Sequence, residues 1–275
     1  MKDKANAKIN LALDVYNIRD NGYHDIKSVM VPLDFCDELE IKISDNDSYE
    51  SNFDFSYDEN NSIYKMIHQI KEKYHIKDKH TVILNKKIPT QAGLAGGTSD
   101  AAAALRIMEK LYNLSLSKEE IKQLCLNVGA DVLFNYYNFP SIVSGIGDEV
   151  EPINIKDDYY VLLIKPETGV STKQAYELLD MNICDHPDID SLVHNLEEGL
   201  AIKSFLQNSL EQPALLLNKD IQIIKEDLKK HTDISLMSGS GSTVFTISKE
   251  KEKIDELYEI FKNKYYFVCK TKIKN

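Results

Sequence analysis

The segment that most limits what this 275-residue chain can fold into runs through Pro89, Thr90, Gln91, Ala92, Gly93, Leu94, Ala95, Gly96, Gly97, Thr98 and Ser99. A short β-compatible run, 81–84, precedes it, and Asp100-Ala101-Ala102-Ala103-Ala104-Leu105, rich in strong helix formers, follows it. Strand, glycine loop and helix in that order bring the loop amides and the positive end of the helix onto one point, which suits an anion and above all a phosphate. The glycines permit close backbone approach and positive φ, and Thr98 and Ser99 add hydroxyls. The spacing is neither G-x-x-x-x-G-K-[ST] nor G-x-G-x-x-G. A tight turn whose serine caps a helix has the same composition, so the segment alone leaves both readings open.

Other residues carry chemistry in pairs. A second glycine loop, Ser238-Gly239-Ser240-Gly241-Ser242, reads alone as a hairpin and, beside the first, as a second amide-rich surface closing on one ligand. Lys8 and Asn10 alternate on a strand-like segment, so a cation and an amide share one face, turned to solvent or into a cleft. Asp131 follows Gly129-Ala130 and precedes an apolar segment. It suits either a cap of the next turn or a general base, because a hydroxyl attacking phosphorus needs a proton acceptor and a lysine to hold it. Tyr23 and His24 follow the turn at Asn21-Gly22 and pair a stacking ring with a hydrogen-bonding one, packed in a hairpin or facing a planar ligand. His24 has no metal-ligand spacing to His68 or His75.

Residues 9–15, 26–33 and 37–44 read as strands, and 45–61 as an edge or loop. Ile63, Met66, Ile67 and Ile70 fall at i, i+3, i+4 and i+7, which predicts a helix over 62–74. Ser117 with Glu120 forms a capping box for a helix ending near Gly129. Later, 159–164 reads as a buried strand, 191–206 and 221–230 as helices, and 265–270 as a closing strand. Polar residues and Pro152 near 151–158 place a boundary between two lobes, 1–153 and 154–275. With 33 basic and 44 acidic residues the formal net charge is −11, which argues against a nucleic-acid or anionic-membrane surface. Cys36, Cys125, Cys184 and Cys269 stand far apart and read as free thiols of a reducing cytoplasm. No run approaches a membrane span and the start lacks a signal peptide's apolar run, so a cytoplasmic protein is expected.

Taken together, these segments resemble the GHMP kinases nearly end to end. The resemblance rests on Ala7-Lys8-Ile9-Asn10-Leu11, Asp20-Asn21-Gly22-Tyr23-His24, residues 88–104, Gly129-Ala130-Asp131-Val132, Gly145-Ile146-Gly147-Asp148, Gly169-Val170-Ser171-Thr172 and Ser238-Gly239-Ser240-Gly241. It implies an α+β fold of two lobes, the first like ribosomal protein S5 domain 2 and the second ferredoxin-like, with the active site in the cleft between them. The lysine before Asn10, the Gly-Tyr-His turn and the Gly-Val-Ser-Thr segment resemble one branch in particular. That branch moves the γ-phosphate of ATP, with Mg²⁺, to the 2-hydroxyl of 4-diphosphocytidyl-2-C-methyl-D-erythritol in non-mevalonate isoprenoid biosynthesis.

The implied partner is therefore a small molecule carrying a cytidine diphosphate group, with no nucleic acid and no membrane, bound by a monomer or homodimer. The same resemblance implies that Asp131 takes the hydroxyl proton, Lys8 orients Asp131 and the hydroxyl, and Asn10 helps hold the erythritol end. Tyr23, His24 and Tyr176 would bind the cytosine, and Lys86 and Asn61 would lie near the adenosine. Gly239, Ser240 and Gly241 would close over the phosphates, and Ser99 would reach Mg²⁺. The alternatives are a GHMP kinase for another small alcohol and a nucleotide-binding relative without turnover. Two segments depart from the family pattern: Leu133-Phe134-Asn135, where proline and then aromatic residues are common, and Phe139-Pro140-Ser141-Ile142, where small residues are usual.

Overall fold

A computed structural model of the chain describes residues 1–20 and 22–275; Asn21, read above as part of a turn, lies outside the described residues. In chain order the elements begin with β1 (Lys2–Ile18), β2 (His24–Ser44), β3 (Ser48–Ser51), α1 (Ser62–Lys73), β4 (Lys79–Asn85), α2 (Gly96–Tyr112), α3 (Lys118–Leu126) and α4 (Val132–Tyr137). They continue with β5 (Ser141–Gly145), β6 (Glu149–Pro152), β7 (Tyr160–Lys165), α5 (Thr172–Glu177), α6 (Ile189–Glu198), α7 (Glu211–Leu217) and α8 (Asp220–Lys229). The last are β8 (Leu236–Met237), β9 (Val244–Ser248), α9 (Lys251–Phe261) and β10 (Phe267–Lys272). They gather into two compact units, each discontinuous in sequence.

One unit comprises Met1–Ala7, Phe35–Pro89 and Ala95–Asn138. Here the second half of β2 pairs antiparallel with β4, whose other edge takes β3 in parallel. Ile41 faces Val82 and Leu39 faces Leu84 across the ladder, all four buried, so alternation along both strands supplies one apolar face. Helix α1 buries Ile63, Met66, Ile67 and Ile70, the stripe that the spacing predicts. It packs on α2, where Ala101, Ala102, Ala103 and Ala104 are fully buried and, being small, let neighbouring helices approach closely. Ser117 and Glu120 close their capping box at the start of α3.

The other unit comprises Lys8–Asp34, Thr90–Leu94 and Phe139–Asn275, so its span takes in the sequence-drawn boundary at 153/154. Its antiparallel sheet runs β10-β7-β9-β8. Strand β7 is interior, and Val161, Leu162, Leu163 and Ile164 are all buried, the continuous apolar pattern of a strand covered on both faces. The first half of β2 pairs with β5, and β5 with β6. The Gly145–Asp148 motif is the turn of that last hairpin: Gly145 and Gly147 take φ of 67° and 97°, and the Asp148 carboxylate accepts the Ile146 amide at 3.0 Å.

Two expectations need correction. The strands read at 26–33 and 37–44 are one strand, β2, because Pro32 lies within it without interrupting it and its carbonyl accepts the Lys274 amide at 2.9 Å. The helix read over 191–206 ends at Glu198, where Gly199 turns left-handed with φ of 74°. Among the described residues no helix is long and apolar enough to cross a membrane. Replacing Ser117 by Ala should destabilise the protein by about 1 kcal/mol in urea titration, the usual worth of an exposed N-cap, with turnover unchanged.

Candidate functional site

In the first unit the site is built on the start of α2. Ala95 precedes it in left-handed conformation (φ 58°), and no side chain caps the helix. The neighbouring hydroxyls are committed to backbone carbonyls of this turn and of β1. Ser62 donates to the Gly97 carbonyl at 2.6 Å, Thr98 to the Ala95 carbonyl at 2.9 Å, and Ser99 to the Asn6 carbonyl at 2.7 Å. Asn135 donates to the Thr98 hydroxyl at 3.1 Å, so a residue that departs from the family pattern braces the loop. None of these bonds uses the amides of Gly96, Gly97 or Thr98, which have no partner within the helix and point toward its N-terminal end.

Asp131 occupies the N-cap position of α4 yet makes no capping bond, so the simplest structural job open to it is not the one it does. Asn61, by contrast, caps α1: its side-chain oxygen accepts from the amides of Ile63 and Tyr64, and its nitrogen donates to the Ser56 carbonyl. Lys86 points inward. Its ammonium donates to Asp37 at 2.5 Å and to Asp100 at 2.7 Å, with all three side chains buried. The other Asp37 oxygen accepts the amides of Lys87 and Ile88, where the chain enters the loop. A Cβ on Gly96 would lie 2.9 Å from this ammonium, so the absence of a side chain there lets the loop rest on it.

Two carboxylates share one ammonium in this buried cluster. Burial pushes Asp100 up to about 8, with Lys86 opposing and Asp37 adding to the rise; its second oxygen is buried with no hydrogen-bond partner. Burial works to lower Lys86, and Asp100 and Asp37 overcome it and leave it raised.

In the second unit, Thr90–Leu94 packs against the second glycine loop. A Cβ on Gly93, whose φ is 71°, would fall 2.0 Å from the Ser238 carbonyl oxygen. The Ser238 hydroxyl donates to the Gly93 carbonyl at 2.9 Å, and the Thr243 amide to that of Ala92 at 3.1 Å. The Gly-Val-Ser-Thr segment joins them: a Cβ on Gly169 would lie 2.4 Å from that of Gln91, and the Thr172 and Ser240 hydroxyls are 2.7 Å apart. Gly241 turns with φ of 89°.

Beneath this loop lies β1. The Lys8 ammonium donates to the Asn10 side-chain oxygen at 2.7 Å, and both residues are buried, so of the two faces open to them they take the inner one. A Cβ on Gly239 would stand 3.2 Å from that ammonium. Sequence reasoning missed Asn208, whose amide donates to the carbonyls of Met237 and Gly239, both at 2.8 Å, and Glu211, which accepts the Met237 amide at 2.9 Å and pairs with Lys225. No local pattern marks either residue. In the same unit His24 and Tyr176 meet with ring centroids 4.8 Å apart, and burial lowers the His24 pKa, which favours the neutral ring. Tyr23 is 60% exposed. Arg19 pairs with Asp25 at 2.6 Å.

Models of two GHMP kinase domains match the chain, the N-terminal domain over residues 61–139 and the C-terminal over 187–266. A 4-diphosphocytidyl-2-C-methyl-D-erythritol kinase of Clostridium beijerinckii is 37% identical over 98% of this chain and 100% of its own length. The chain belongs to the 4-diphosphocytidyl-2-C-methyl-D-erythritol kinase family. A family member of Bacillus subtilis is 36% identical over 93% of the chain and 91% of its own length. The fold agrees: a crystal structure of 4-(cytidine 5'-diphospho)-2C-methyl-D-erythritol kinase superposes with a TM-score of 0.85 at 23% identity, covering both chains in full. This is the two-domain α+β GHMP kinase fold.

Gly93→Ala should cost at least about 2 kcal/mol of stability and most of the turnover, because a backbone oxygen occupies the place of the new methyl. Asp100 supplies a pH test. Its folded pKa of about 8 lies above its ordinary 3.8, so in that window the folded state holds a proton that the unfolded state has lost, and stability falls as pH rises. The melting temperature of the wild type should therefore drop relative to that of Asp100→Asn between about pH 4 and pH 8.

Proposed function

We propose that this chain transfers the γ-phosphate of ATP to the 2-hydroxyl of 4-diphosphocytidyl-2-C-methyl-D-erythritol, giving the 2-phosphate and ADP, within non-mevalonate isoprenoid biosynthesis in the cytoplasm. Near-full-length identity to kinases of that name carries the reading. The site chemistry agrees with it. The first-turn amides of α2 and the Ser238–Ser242 loop offer donors to the phosphates of ATP. As the acceptor oxygen bonds to the γ-phosphorus and the bond to the β,γ-bridging oxygen breaks, the hydroxyl proton passes to Asp131 and the leaving electrons stay on ADP. Lys8 offers a fixed positive charge to that hydroxyl, and Asn10 holds both the lysine and the erythritol end. The neutral His24 ring and Tyr176 offer a stacking and hydrogen-bonding wall for cytosine, with Tyr23 beside them. Asn61 and Lys86 frame the adenosine end, by capping α1 and by supporting Gly96 respectively.

Among the described residues no group of three or more His, Cys, Asp or Glu side chains could hold a metal. Mg²⁺ carried in by ATP would be held chiefly by phosphate oxygens and water, with few protein ligands. Ser99, whose proton is on the Asn6 carbonyl, presents only lone pairs from its hydroxyl and is the side chain that would reach it. The ion, when bound, neutralises charge on the transferring phosphate.

A coupled ADP-release assay with this acceptor tests the reading. Asp131→Ala should lower kcat by about 10²- to 10⁴-fold while the KM for ATP stays within about threefold, since the base acts on the chemical step. Undiminished turnover would remove Asp131 from its role. CDP and CMP should compete with the acceptor; if neither does, the acceptor carries no cytidine and another small alcohol takes its place.

A further inference from the structure

Strand β2 carries a buried hydroxyl, Ser28, that has no place in the reaction as described so far. It is fully buried and donates its one proton to the Ala12 carbonyl at 2.6 Å. Toward Asn10, 2.8 Å away, it can therefore only accept. That decides the orientation of the Asn10 amide: its nitrogen must face Ser28, and its oxygen is left facing the Lys8 ammonium at 2.7 Å. Turned the other way, the amide would set its N–H against the ammonium and its oxygen against a hydroxyl oxygen with no proton to give. The relay runs one way only, from a backbone carbonyl of β1 through Ser28 and Asn10 to Lys8.

We propose that Ser28 is a positioning residue for phosphoryl transfer, fixing the Asn10 amide so that its oxygen holds the Lys8 ammonium in place. This rests on the reading of Lys8 as a group that touches the acceptor hydroxyl. Loss of the Ser28 hydroxyl leaves the Asn10 nitrogen without its acceptor in a buried site and frees the amide to tilt, so the ammonium is held less firmly. The effect falls on the chemical step, because the relay ends at Lys8 and not at the nucleotide.

The test is a double-mutant cycle on the full chain, read as steady-state turnover at saturating ATP and 4-diphosphocytidyl-2-C-methyl-D-erythritol. Ser28→Ala should lower kcat about five- to tenfold, the worth of one buried hydrogen bond, with the KM for ATP within about twofold. Ser28→Thr, which keeps the hydroxyl, should stay within about twofold of wild type. Ser28→Cys keeps the volume but accepts weakly, and it should show the loss even if the alanine variant folds poorly. In a Lys8→Ala background, assayed with enough enzyme to read the residual rate, Ser28→Ala should change turnover by less than about twofold. Equal losses in both backgrounds, or unchanged kcat for the alanine and cysteine variants, would overturn the proposal and leave Ser28 a packing residue. If Lys8→Ala itself keeps full turnover, the reading of Lys8 fails first and the proposal falls with it.

Discussion

The second unit turns on the close approach of two backbones, at Gly93 and Ser238. No side chain fits between them, and the bonds that flank the contact, from Ser238 to Gly93 and from Thr243 to Ala92, hold only while it stays closed. The position of Gly239 above Lys8, and hence the packing of the second glycine loop over β1, follows from that geometry. A glycine with positive φ is needed at Gly93 for conformation and for space at once, so that position is constrained twice over.

In the first unit the corresponding restraint is electrostatic. Lys86, Asp37 and Asp100 place an ammonium and two carboxyl groups in a buried setting, where removing charges from water costs several kcal/mol per ion and only good geometry offsets it. An apolar trio would pack at least as well. What the charged one adds is direction: Asp37 holds the amides that lead into the loop, Asp100 sits just past the first turn of α2, and Lys86 ties the two carboxylates beneath Gly96.

Much of this was legible in the sequence wherever the signal is local. The α1 stripe, the Ser117 capping box and the strand–loop–helix order around Gly93 and Gly96 are patterns within a dozen residues, and the structure reproduces them. The interactions that escaped are long-range. Asp37 and Lys86 stand 49 positions apart, and Asn208 reaches Gly239 across 31, so neither partner carries a mark that names the other. Asn61, which only the resemblance puts near the adenosine, caps α1 through its side chain, and an asparagine before a helix looks the same whether or not it also faces a ligand. Helix α6 stopped early for a local reason that outweighed periodicity, the left-handed Gly199.

Asn208 has a consequence for the thermodynamics of the second glycine loop. Its side-chain N–H groups are bonded to the carbonyls of Met237, at the end of β8, and Gly239, within the loop, and the side-chain oxygen is taken by the Leu210 amide, so the residue is saturated and 2% exposed. A loop held this way has surrendered its conformational freedom during folding, before any nucleotide arrives. On the proposed reading, closing its amides around a phosphate would sacrifice little further disorder, so less of the heat released by new hydrogen bonds would be offset by ordering.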